Sequence, residues 1–422
     1  MKVCLVGLGY IGLPTALIIA KQGFDVVGVD NNEEIVEKLN AGEVHLSELN
    51  VEGLLREVMA AGKFRASARP ETADVFILNV PTPLNAEHEP DTSHLRSVTE
   101  QIVPLLRPGN LFIIESTCPV GTTDDFADSI FTARPELRGQ VFVAYCPERA
   151  LPGNLLFEFR RNDRIIGGID QASTRHAMDF YSLLVKGKLF PTYSKTAEMC
   201  KLTENCHRDL QIAFANELSV ICDKAGVNVW DLIELANKHP RVNILQPGCG
   251  VGGKYIAVDP YYIISSFSKE ARLLKTVREI NDLKAEYCVA QVRNAMLEFE
   301  VNHHRKPTVA MMGLTYKPNI DDLRHSPAKY IVTQVMQNCN NADILIAEPN
   351  LREHNVFKLT DFKTAYERAD IVVFLTAHTP FLSLQYHENK KILDFCGIFK
   401  NRNTGELKMK NYERSDAESA YM

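Results

Sequence analysis

The chain has 422 residues, 45% of them hydrophobic and 24% charged, with a formal net charge of −6. That length exceeds one ordinary core and predicts two or three domains, while an acidic balance without a basic stripe excludes nucleic acid and anionic membrane as main partners. Ten scattered cysteines without C-x-x-C pairs indicate neither a disulfide framework nor a metal site. With no signal peptide and no apolar span of about 20 residues, a reducing cytoplasm is the expected location.

Residues 2–6 (KVCLV) read as a strand that runs straight into Gly7-Leu8-Gly9-Tyr10-Ile11-Gly12 and an apolar helical stretch. Gly7 permits the tight turn, Gly9 lets a pyrophosphate approach the backbone, and Gly12 lets helix and strand pack closely. Tyr10 and Ile11 complete this dinucleotide turn. A second strand, FDVVGVD, ends in Asp30, the spacing at which an acid bonds the adenosine ribose hydroxyls. An acid there repels a 2′-phosphate, so the expected cofactor is NAD rather than NADP.

Further strands alternate with helices in the manner of a parallel sheet: DVFILNV, NLFIIEST and VFVAYCPERA. Polar and proline residues just past their ends, among them Thr82, Thr117 and Glu148, sit where open α/β sheets bind ligands. From spacing alone, Pro-Thr-Pro and Cys-Pro-Glu-Arg serve equally well as turn formers.

Residues 195–225 lack Pro and Gly and carry Met199, Leu202, Leu210, Ala213, Phe214, Leu218 and Ile221 at helical spacing, which predicts a long core helix. Lys201 and Asn205, four apart, share one face; an exposed polar face is the bland alternative. The wide apolar arc predicts a homodimer through this helix. A helix VWDLIELANK leads to residues 247–260, PGCGVGGKYIAVDP, whose glycine density is read as backbone brought close to a ligand. A helical stretch to about residue 300, a polar linker at 301–307 and a second α/β pattern follow, with strands TVAMMGL, DILIAEPN and DIVVFLTAH and a loop carrying Lys317 and Arg324. The repeated strand-glycine start predicts a second, degenerate nucleotide-binding lobe. The expected architecture is α/β: two Rossmann-like parallel-sheet domains, residues 1–194 and 301–400, joined by a central helical domain, 195–300, and followed by a polar tail, 401–422.

GLGYIGLPTA, NVPTP, EST-x-PVGTT, YCPER-x-LPG, NDRIIGG, EMCKLTEN, HPRVNILQPGCGVGG, IAVDP and KPNIDDLR-x-SPA together resemble the UDP-glucose/GDP-mannose dehydrogenase family, nearest its branch acting on UDP-N-acetylhexosamines. The resemblance implies NAD on an N-terminal Rossmann domain, a UDP-sugar on the C-terminal lobe, and oxidation of a sugar 6-CH₂OH to a carboxylate in two hydride transfers. It implies cofactor contacts at Gly7, Gly9, Gly12, Asp30, Thr82 and Thr117. Glu148 falls on the acid that handles water, Lys201 and Asn205 on the pair steadying alkoxide charge, and Asp259 on the acid assisting the base chemistry. Thr117 also counts among the catalytic candidates. Lys317, Arg324, Arg149, Leu151, Arg208, Gly248 and Gly252 fall among sugar-nucleotide contacts, and Arg241 on a position that reaches a neighbouring active site.

One departure stands out. Where the family reads Gly-His-Cys-Ile, this chain reads Gly253-Lys254-Tyr255-Ile256. The family's cysteine carries the thioester of the second oxidation; a phenol is a far weaker nucleophile at neutral pH. Cys249 is expected to be structural, because relatives carry a cysteine there beside the nucleophile. Three readings follow: a two-electron oxidation, or a slow second one through the aldehyde hydrate; a redox-neutral epimerisation with Tyr255 and Lys254 as acid and base; or a silent relative that binds a nucleotide sugar. His207, Gln211 and His325 also depart from the family pattern and bear on which sugar is bound.

Overall fold

The computed structural model describes residues 1–46, 50–150, 154–338 and 342–400. Leu151 and the expected tail, 401–422, lie outside them. The chain divides into two compact units, one of residues 1–207 with 258–272, the other of 208–257 with those from 273 onward.

In the first unit eight strands form one sheet: β1 (Lys2–Val6), β2 (Asp25–Val29), β3 (Phe64–Ser67), β4 (Val75–Leu78), β5 (Leu111–Ile114), β6 (Phe142–Tyr145), β7 (Arg164–Gly168) and β8 (Leu189–Tyr193). Their order is β3-β2-β1-β4-β5-β6-β7-β8. The first six reproduce the doubly wound dinucleotide-binding order, whose reversal lies between β1 and β4. Both faces are covered, so β1 alternates Val3 and Leu5 into one core and Cys4 and Val6 into the other. The sheet departs from the expected all-parallel pattern at β6 and β7, which pair antiparallel. β3, β7 and β8 lie outside the strands legible in the sequence; β8 is an edge strand, which accommodates Pro191.

The second unit holds a parallel sheet of β9 (Thr308–Met312), β10 (Asp343–Ala347), β11 (Ile371–Phe374) and β12 (Lys391–Asp394), in the order β10-β9-β11-β12. The helix Arg272–His303 extends past the expected linker start, since residues 301–303 continue its last turn. The long helix Ser194–Ala225 forms where expected, but Phe214 is 51% and Ile221 54% exposed. It is therefore a core helix along one face only, with Leu202, Ala213 and Ala215 buried. Among the described residues no helix is long and apolar enough to cross a membrane.

Candidate active site

The turn after β1 has two glycines that packing imposes and one that it does not. Gly7 lies at φ 98°, and a Cβ there would stand 2.3 Å from Asn79 O; a Cβ on Gly12 would stand 1.7 Å from Gly7 O. Nothing lies within 4 Å of the Cβ position of Gly9. The residues thus fit a dinucleotide: bare backbone faces open space at Gly9, at the start of the helix Gly12–Lys21, which carries no acidic residue in its first turn. Asp30, just past β2 and half-buried, accepts the Leu8 N–H (3.0 Å) and the Asn32 N–H (3.0 Å). Tyr10 and Ile11 border the turn, Tyr10 exposed and Ile11 half-buried. Thr82 Oγ1 donates to Thr117 O at 2.6 Å, tying together the ends of β4 and β5, and Tyr262 donates to Thr82 O.

Past β6 lies a buried charge cluster that the sequence did not announce. Arg164 of β7 bridges Glu115 and Glu148, and its guanidinium stands 4.5 Å from the Phe159 ring centroid and 4.6 Å from that of Tyr181. Glu115 also accepts from Tyr181 Oη (2.5 Å) and Asn79 Nδ2 (3.0 Å). Burial pushes the Glu115 carboxyl up to about 7, against the pull of Arg164. Glu148 is further held by the N–H groups of Arg149 (2.7 Å) and Ala150 (2.8 Å). Its carbonyl oxygen accepts from Lys201 Nζ at 3.0 Å. One turn on, Asn205 Nδ2 donates to Asp259 Oδ2. Asp259 is buried and opens the helix Asp259–Ser266. Glu148, Lys201, Asn205 and Asp259 therefore share the first unit with Thr82 and Thr117, while Arg149 pairs with Glu204 (2.6 Å).

Glu198, missed by the sequence reading, fixes the Thr117 segment. Its buried carboxylate accepts the N–H groups of Gly121 (2.6 Å) and Thr123 (2.8 Å) and the Thr123 hydroxyl (2.6 Å), at the start of the helix Thr122–Ala133. Burial raises its pKa even so. An acid near the start of a long helix, 75 residues away in sequence from its partner, gives no local signal.

In the second unit the glycine segment differs from expectation. Gly250 (φ 135°), Gly252 and Gly253 (φ 88°) have no room for a Cβ because protein fills it: Asn281 O at 2.8 Å, His325 O at 2.5 Å and the Tyr316 ring at 2.8 Å. The close approach read from these glycines is to the 315–327 loop and to Asn281 of the helix Arg272–His303. Gly248 alone of the four has nothing within 4 Å. A buried polar chain sets its place: Gly248 N–H donates to Asn216 Oδ1 (2.8 Å), Asn216 Nδ2 to Asn281 Oδ1 (2.9 Å), and Asn281 Nδ2 to Asp209 Oδ1 (2.7 Å), which Arg278 also reaches (2.8 Å). Burial pushes Asp209 up to about 6. Lys254 is exposed, with Nζ 5.6 Å from the centroid of the half-buried Tyr255 ring. Cys249 is buried and donates to Leu375 O at 3.3 Å. A hydrogen bond with Cys288, then burial, hold its thiol well above the usual range, so thiolate is scarce there. Among the described residues no cluster of His, Cys, Asp and Glu could hold a metal ion.

The loop after β9 carries Lys317 and Arg324; Arg324 pairs with Asp322 and its carbonyl accepts the Gly253 N–H at 2.9 Å. Arg208 and Arg241 are exposed in the same unit. Behind the loop stands a buried pair: His378 Nε2 lies 3.0 Å from Glu348 Oε2, which also accepts the N–H groups of Leu314 (2.7 Å) and Thr315 (3.2 Å).

A doubly wound sheet with an open glycine turn and an acid past β2 defines a nicotinamide-dinucleotide oxidoreductase frame. Three models of the UDP-glucose/GDP-mannose dehydrogenase family match the chain: the NAD binding domain at residues 1–185, the central domain at 195–283 and the UDP binding domain at 310–404. The chain belongs to this family. Its cofactor is NAD, and its UDP binding domain marks a UDP-sugar as substrate. A UDP-N-acetyl-D-mannosamine dehydrogenase from Campylobacter jejuni is 44% identical over 94% of this chain and 99% of its own length. An NDP-N-acetyl-D-galactosaminuronic acid dehydrogenase from Ralstonia nicotianae is 43% identical over 94% and 96%. The structure of a UDP-D-ManNAc dehydrogenase from Pyrococcus horikoshii superposes with a TM-score of 0.85 at 35% identity, covering 96% of this chain and 97% of that one.

Proposed function

We propose that this protein is an NAD-dependent oxidoreductase acting on a UDP-N-acetylhexosamine, and that it performs a two-electron oxidation rather than the full conversion to a uronate. The observation that carries this reading is Lys254-Tyr255 where the family has its His-Cys pair, with Cys249 buried and its thiol held protonated. The relatives named as acting on UDP-N-acetyl-D-mannosamine, at 44% and 42% identity, support the sugar class.

NAD, when bound, supplies the hydride acceptor. The open backbone at Gly9 with Tyr10 and Ile11, the Asp30 carboxylate, and Thr82 and Thr117 would hold it. Lys201 and Asn205 would steady negative charge developing on the sugar oxygen. Asp259, held by Asn205, would assist removal of the hydroxyl proton. Glu148 is oriented by Arg164 and two backbone N–H groups. Arg149, Arg208, Gly248, Lys317 and Arg324 would contact the nucleotide sugar, and Arg241 a neighbouring site. Exposed Phe214 and Ile221 on the long helix support a homodimer through that face.

A second reading, redox-neutral epimerisation, is supported by the placement of Lys254 and Tyr255 together as acid and base candidates, with the ammonium 5.6 Å from the ring centroid. Incubation with NAD and UDP-N-acetylhexosamines, with NADH followed by absorbance and the sugar product identified by mass and NMR, separates the readings. One NADH per sugar and an aldehyde product are expected. Two NADH with a uronate would overturn the proposal. A product of unchanged mass without net NADH would establish the epimerase, and binding without turnover a silent relative. Lys254→His with Tyr255→Cys is expected to bring uronate formation.

A further inference from the structure

We infer that His378 is a positioning residue for the UDP moiety: from behind the loop it fixes Asn319, and through Asn319 the 315–325 backbone that carries Lys317 and Arg324. The inference rests on the reading that this loop contacts the nucleotide sugar. His378 is 0% exposed, so it acts on a ligand only through other groups. Its Nε2 lies 3.0 Å from Glu348 Oε2, and a carboxylate there places the ring proton on Nε2, leaving Nδ1 as acceptor. Nδ1 accepts the Asn319 N–H at 3.0 Å, and Asn350 Nδ2 reaches it at 2.8 Å.

Asn319 is where the loop needs that support. It is a non-glycine residue at φ 60°, a conformation that L-residues adopt uncommonly. Its side chain is clamped to the residue after His378: Oδ1 accepts the Thr379 N–H at 2.9 Å and Nδ2 donates to Thr379 Oγ1 at 2.9 Å. Thr376 Oγ1 holds the start of the loop through Thr315 O (2.8 Å), and Ser326 Oγ its end through Leu314 O (2.6 Å). No helix or strand spans 313–326, so these long-range bonds, rather than a ladder, define where Lys317 and Arg324 stand.

Two substitutions divide the bonds of His378. His378→Asn keeps an acceptor near Nδ1 and loses reach to Glu348; His378→Gln keeps that reach and loses the Asn319 bond. Measured by calorimetry with UDP on the full chain, His378→Gln is expected to weaken UDP about tenfold, the worth of one well-made hydrogen bond. His378→Asn should stay within about threefold of the parent by the same measure. The KM for NAD should not move in either, which also reports that the chain is folded. Asn319→Gly keeps the positive φ, removes both Thr379 bonds and leaves the core untouched; it too should weaken UDP while sparing NAD. Parent-like UDP affinity in His378→Gln, or equal losses of UDP and NAD in both His378 variants, would overturn the inference. Failure of the parent protein to hold UDP would overturn the underlying reading and this inference with it.

Discussion

The turn after β1 and the turn after β9 are built alike. Gly7 (φ 98°) donates its N–H to Val29 O at 2.7 Å, and Gly313 (φ 101°) donates to Ala347 O at 2.8 Å. The next N–H, from Leu8 or Leu314, reaches a carboxylate just past the neighbouring strand, Asp30 at 3.0 Å or Glu348 at 2.7 Å. There the likeness ends. Asp30 is half-buried beside an open glycine, whereas Glu348 is sealed under His378 and Asn350. The same strand-glycine-acid frame is an open cradle in one unit and an internal strut in the other. The shared frame places the acid; a side chain from beyond β11 seals it in the second unit.

The comparison breaks most sharply at the two acids. Glu348→Ala would strand His378, two backbone N–H groups and Asn350 in the interior. A loss of about 3–5 kcal/mol of stability in the second unit is expected, as for other broken buried pairs. Urea unfolding followed by circular dichroism reads it, and a loss below about 1 kcal/mol would mean the pair is no strut. Asp30→Ala, which frees two backbone N–H groups at a half-buried site, should cost about 1–2 kcal/mol of stability and raise the KM for NAD about tenfold, one charge-assisted hydrogen bond; an unchanged KM would deny Asp30 its ribose role.

The last effect concerns pH. Burial raises Glu115 to about 7, whereas Glu348, which burial would also raise, is held below the usual carboxyl range by His378 and backbone N–H groups. A raised acid favours the folded state fully below its unfolded pKa, so the Glu115 contribution is present below pH 4.5 and is lost as pH climbs towards about 7. Glu348, being lowered, contributes in the opposite sense: its share is present above 4.5 and fades on acidification. Unfolding midpoints for the parent and Glu115→Gln, measured from pH 4.5 to 7, should therefore diverge with the parent losing ground. Parallel curves would show that Glu115 stays neutral or charged throughout.

What the sequence disclosed was local. Gly7, Gly9, Gly12 and Asp30 lie within one strand-turn-helix-strand unit, and their spacing carries the geometry. Lys201 and Asn205 were legible as one face of a helix. The partners that set the site were not: Arg164 reaches back 49 residues to Glu115, and His378 reaches 59 residues to Asn319. Burial of charge is a property of the assembled core, and no periodicity records it. The glycine segment shows the converse failure. Four glycines in six residues signalled close approach correctly, but only tertiary structure shows that three of them approach Tyr316, His325 and Asn281. The apolar spacing of the long helix likewise hid its two faces, because Phe214 and Ile221 follow the same repeat as the buried residues.

The chain of bonds from Gly248 through Asn216 and Asn281 to Asp209 sets an order of events as well as a position. Gly248 lies 32 residues from Asn216, and Asn216 lies 65 from Asn281 on the other long helix. Such closures come late, after the helices have formed and met. The segment bearing Lys254 and Tyr255 thus gains this anchor only when the two long helices are in register.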